Sequence, residues 1–152
     1  MAVGSQHQPQ EIFVDIILAP DVYVNASVAP GTFPDRVVQR VLGKHKGEST
    51  ATEWVLARVE GLLSTLPEFK RESVGQQVQL IRSLVKVVPG SSDFPADAWE
   101  KALVSAAKAS KASRVVTDHP DLLAKESSDG IEFMSTEAWL FEVTQPPPVP
   151  VK

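Results

Sequence analysis

The chain has 152 residues, 43% of them apolar and 22% charged, with a formal net charge of −4. That length fits one domain with a buried core, and the negative balance argues against holding nucleic acid through overall charge. No cysteine is present, which excludes disulfides and thiolate metal sites and fits a reducing, cytoplasmic setting.

Residues 1–10, "MAVGSQHQPQ", are polar and aperiodic and are expected to form a disordered lead-in. They lack the basic start and apolar stretch of a secretory signal. "IFVDIIL" (Ile12 to Leu18) predicts a strand, closed by Ala19-Pro20. Beyond the turn "APGTFPD", Val37, Val38, Val41 and Leu42 mark one face of a helix. "TEWVLARVEGLLSTL" repeats the period, with Trp54, Val55, Val59, Leu62, Leu63 and Leu66 as its stripe and Thr52 or Thr50 as its cap.

"ESVGQQVQLIRSLVKVVPG" begins as a helix with Val74, Val78, Ile81 and Leu84 facing inward, then runs into a strand, "LVKVV". "PADAWEKALVSAAKASKA" has the strongest helical period, through Trp99, Ala102, Leu103 and Ala106, and its small alanines predict close packing on a sheet. The strand "RVVT", a short helix from "PDLLAK", the strand "IEFMS" and a helix from "STEAWLFEV" follow, the last with Ser135 and Thr136 as caps. Residues 145–152, "QPPPVPVK", favour polyproline II and read either as a solvated tail or as a ligand for an aromatic groove. No apolar run approaches the ~18 residues of a membrane span. The alternation in the second half calls for a parallel sheet covered on both faces, a three-layer α/β/α sandwich over residues 11–144.

The segments "IILAPDVYVNASVAPGTFPDRVVQRVL", "ASRVVTDHPDLL" and "GIEFMSTEAWL" resemble the opening and close of PIN-domain proteins, over roughly Ile12 to Phe141. The resemblance implies a Mg²⁺- or Mn²⁺-dependent nuclease, many members being RNA-cutting toxins paired with antitoxins. Such sites gather three or four acidic residues at the strand ends, because hard divalent ions take carboxylate oxygens. The ions generate hydroxide and stabilise charge on the phosphate. This sequence departs from that pattern. The first family aspartate falls on Ala19, with Asp21 two residues on; the glutamate of the second long helix falls on Arg58, with Glu60 near. The family's Thr-x-Asp falls on Thr117, Asp118 and His119, so the expected aspartate is His119. The acid before the alanine-rich helix has substitutes in Glu100 by spacing or Asp97 by type.

The resemblance therefore implies a PIN-like module with a degenerate metal site, non-catalytic, with no cofactor, and binding RNA or a protein, antitoxin-like if toxin-derived, or a second copy of itself. The rival expectation is an active ribonuclease with a rebuilt site. Asp21, Glu100, Asp118 and His119 would then be catalytic, and Asp21, Asp97, Glu100, Asp118 and Asp121 would hold Mg²⁺ or Mn²⁺. A third expectation, a purely protein-interacting module, leans on the acidic charge and the proline-rich tail.

The residues taken alone leave the same choices open. In a doubly wound sheet the ends of the first and fourth strands lie side by side, bringing Asp21, Thr117, Asp118 and His119 together, with Asp97 and Asp121 at the border. "VVTDHPDLL" (Val115 to Leu123) is then a metal rim, or Asp118 simply caps the short helix opening at Pro120-Asp121. Arg58 either fills the vacated acidic pocket and takes a phosphate or carboxylate, or stays on the solvent face, or pairs with Glu53. Lys101, Lys108, Lys111 and Arg114, and separately Lys44, His45 and Lys46, could contact nucleic-acid phosphates or be solvated faces. Trp54, Trp99 and Trp139 fit helix cores. No nucleophile elbow or phosphate-binding glycine loop is present.

Overall fold

The computed structural model describes residues 16–43, 49–89 and 93–144. The expected lead-in, the proline-rich tail, the start of the first strand and the Lys44-His45-Lys46 group lie outside the described residues. The fold is α/β with a mainly parallel sheet. Strand β1 (Ile16–Leu18), apolar throughout and buried, pairs in parallel with β4 (Arg114–Val116). β4 pairs in parallel with β6 (Ile131–Met134), and the two-residue β5 (Ser127–Ser128) turns back antiparallel to it. The order is β1-β4-β6-β5, with Ile17, Val115 and Phe133 in one register row. Asp129 and Gly130, at φ 52° and 83°, make the two-residue loop whose left-handed geometry matches strand twist. A second parallel pair, β2 (Thr50–Thr52) with β3 (Lys86–Val88), has β2 lying next to β1.

The helices among the described residues are α1 (Pro20–Val28), α2 (Phe33–Val38, continuing into a π-helical turn Gln39–Gly43), α3 (Glu53–Ser64), α4 (Arg71–Leu84), α5 (Trp99–Ala109), α6 (Pro120–Lys125) and α7 (Thr136–Thr144). Pro20 opens α1 one residue after the strand, where its missing N–H costs nothing. α3 is capped by Thr52 rather than Thr50: the Thr52 hydroxyl accepts from the Val55 N–H at 3.4 Å. Its stripe holds as expected for Trp54, Val55, Val59 and Leu63, while Leu62 and Leu66 are only partly buried and Leu56 joins the core. α5 buries Ala102, Leu103, Ala106 and Ala107 against β4 and β1, because methyl-sized side chains let a helix approach a sheet closely. No helix among the described residues is long and apolar enough to cross a membrane.

Candidate functional site at the strand ends

Parallel pairing sets the exits of β1 and β4 beside each other, and the Ala19 N–H donates to the Val116 carbonyl at 3.0 Å to finish the ladder. The chain then turns into α1, which places Asp21 in its first turn. Asp21 Oδ1 accepts from the Thr117 hydroxyl at 2.7 Å, and Oδ2 accepts from the Asp118 N–H at 2.8 Å. Asp118 in turn reaches the start of α7. Its Oδ1 accepts from the Thr136 N–H at 2.9 Å and its Oδ2 from the Thr136 hydroxyl at 2.6 Å. Thr117 Oγ1 also accepts from the His119 N–H at 3.0 Å. Each of the four carboxylate oxygens thus takes a hydrogen bond from the protein, and Thr117 and Thr136 are themselves buried. Burial pushes the Asp21 carboxyl above its ordinary value; the bonds from Asp118 and Thr117 pull it back, and the charge of Asp118 adds to the rise.

Asp118 does not cap the short helix: it takes both donors of Thr136 at the start of α7, whose cap is the expected Ser135, its hydroxyl accepting from the Ala138 N–H at 3.0 Å. The N-cap of α6 is His119, whose Nδ1 accepts from the Asp121 N–H at 3.2 Å. The imidazole packs on Trp99 with ring centroids 5.0 Å apart, and Trp99 meets Trp54 edge to face at 5.9 Å. Trp54 is fixed by a bond from its Nε1–H to the Pro95 carbonyl at 3.1 Å. Trp54 is buried as expected of a core residue; Trp99 is only partly so.

The other expected ligands are not gathered here. Glu100 binds the Ser128 hydroxyl at 2.6 Å and Lys125 at 3.1 Å, on the side of the β5–β6 hairpin, and these two partners hold its carboxyl below the ordinary range. Asp97 is exposed in the turn before α5, and Asp121 is exposed in the first turn of α6. Among the described residues no group of three or more His, Asp or Glu stands where it could hold a metal ion. Two carboxylates with no third acid beside them among the described residues fall short of the donor set a hard divalent pair requires.

Arg58 does not sit among these acids. Its guanidinium lies along α3 over Gly61, where an added Cβ would stand 3.0 Å from Nη1. Nor does it pair with Glu53, which is bound through both oxygens by Arg82 at 2.8 and 3.0 Å. Of the expected phosphate contacts, Lys108 is paired with Asp129 and Arg114 with Glu142 at 3.0 Å. Lys111 is exposed, in a left-handed turn at φ 60°. Thr136 was readable as a helix cap, but its role as double donor to Asp118 has no local signal, since the two are 18 residues apart. Comparison of the chain with protein-family models, with curated proteins and with solved structures returns no match.

Proposed function

We propose that this is a PIN-like three-layer α/β/α protein of the cytoplasm whose acidic rim has become a structural clasp, and that it acts as a non-catalytic protein-binding module. The observation that carries the reading is the use of both rim carboxylates: Asp21 and Asp118 spend their oxygens on Thr117, the Asp118 amide and Thr136. With those bonds fixing their orientation, the two carboxylates have no third acid beside them among the described residues to complete a divalent site. A protein partner is favoured over RNA because two of the four expected phosphate contacts, Lys108 and Arg114, already bear carboxylates, which reduces the counterion release that drives phosphate binding.

The test is calorimetric titration with Mn²⁺ and Mg²⁺, on the wild type and on Asp118→Asn, alongside RNA cleavage. The expected result is no site-dependent heat up to roughly 10 mM metal and no cleavage, since phosphate hydrolysis of this type needs bound ions. Tighter metal binding that disappears in the variant, with metal-dependent RNA cutting, would replace this reading with the ribonuclease. Salt-sensitive RNA retention without cutting would replace the protein partner with RNA.

A further inference from the structure

Helix α3 carries a cation, Arg58, that has no ion-pair partner among the described residues. Arg58 is partly buried, and its Nε is shielded from solvent with no hydrogen-bond partner. No acidic residue among those described is paired with it, Glu53 being held through both oxygens by Arg82. Leaving a buried donor unsatisfied is costly, more so when the group is charged. Gly61 keeps the space beside the guanidinium open, with the ideal Cβ position 3.0 Å from Nη1 and 3.5 Å from Cζ. Arg58 also lines a cleft of about 280 Å³, whose other walls are Glu53, Trp54, Ala57, Phe94 and Ala96.

We propose that this cleft binds a small monocarboxylate carried on a flat apolar body. The guanidinium fork matches a carboxylate through two parallel hydrogen bonds. A single cation balances a single negative charge, so a dianion would keep one charge unbalanced. The ring of Trp54, Phe94 and the two alanine methyls suit an apolar body, and the volume is at the small end of ligand sites. The site is separate from the Asp21–Asp118 clasp and does not depend on the function proposed above.

The test uses the ¹⁵N-labelled full chain and three probes: phenylacetate, its neutral amide phenylacetamide, and inorganic phosphate. Phenylacetate is expected to shift the Arg58 Nε–H and Trp54 Nε1–H resonances saturably, with the amide about tenfold weaker or worse because it loses the charge-assisted bonds. Arg58→Gln should abolish saturation at Trp54. Gly61→Ala should weaken binding by crowding Nη1 while leaving the fold intact, because alanine is the better helix former. An amide that binds as well as the acid, or saturation that survives Arg58→Gln, overturns the proposal. So does phosphate binding as tightly as phenylacetate, which would make the site a plain anion contact, or no response up to roughly 20 mM, weaker than any specific affinity. The acid–amide comparison is made on the wild type, so it stands even if a variant does not fold.

Discussion

In Asp118→Ala, α7 loses the acceptor for both the Thr136 N–H at 2.9 Å and the Thr136 hydroxyl at 2.6 Å. Thr136 is 1% exposed, so water is a poor replacement for either bond. A hydrogen bond to a charged group contributes ~1.5–3 kcal/mol. The two bonds share one acceptor and overlap, which gives an expected loss of about 2–4 kcal/mol. Asp118→Asn behaves differently. Its carbonyl still accepts the N–H, its amide can donate to the hydroxyl, and it removes the charge that pushes Asp21 up. Its expected cost is about 1 kcal/mol or less. At this chain length 1 kcal/mol moves Tm by about 2–4 °C, so the alanine variant should melt about 5–12 °C lower and the asparagine variant within about 4 °C of the wild type. Urea unfolding at neutral pH measures both through the midpoint at constant slope. An alanine variant within about 0.5 kcal/mol of the wild type, inside the range of ordinary surface changes, would show that the carboxylate is not a clasp. An asparagine variant as damaging as alanine would refute the hydrogen-bond account.

Asp21→Asn reports the pH linkage. The native Asp21 carboxyl lies above its unfolded value, so between the two values the native state holds the extra proton and wild-type stability contributed by this group falls as pH rises. Asparagine cannot ionise, yet it can accept from the Asp118 N–H and donate to Thr117, so relative to the wild type it should gain stability across that window. Paired urea midpoints from roughly pH 4 to 8 check this, and a constant or reversed difference contradicts it. Glu53→Gln should cost only about 0.3–0.5 kcal/mol, lost in about 1 M salt, because the Glu53–Arg82 pair is exposed. Arg82 holds the Glu53 carboxyl low, so this contribution exists above the unfolded value and disappears as pH falls through the folded one. A larger, salt-independent loss at neutral pH would show that the pair does more than screen charge.

The later helices are legible in the sequence because each has one apolar face. Val74, Val78 and Ile81 on α4 and Ala102, Leu103 and Ala106 on α5 are buried where the period puts them. α1 escapes a reading by period because Pro20, Val22, Tyr23 and Val24 are buried almost in succession, leaving no stripe. β2 and β5 are too short, as "TAT" and "SS", to show alternation. At the candidate site the juxtaposition of Asp21, Thr117, Asp118 and His119 follows from strand order, which the alternation of elements implies. What each acid does there depends on side chains from distant segments. Asp118 has one proline and one further acid within three residues, Pro120 and Asp121, both pointing to α6, and only the position of α7 redirects it to Thr136. Arg58 stays undecided in the sequence for a related reason: helical spacing defines its face but not that Gly61 lets the guanidinium lie along the helix.

The pairing of β1 with β4 has a consequence for synthesis. Ile16 finds its ladder partner at Arg114, roughly 100 residues later, which at ribosomal speeds of ~5–20 residues per second is a wait of about 5–20 s. Throughout that interval the nascent chain carries an apolar strand whose hydrogen-bonding partner has not been made. Such a segment is what chaperones bind, so delivery of this protein in a usable form should be sensitive to translation rate and to the holding capacity of the cell.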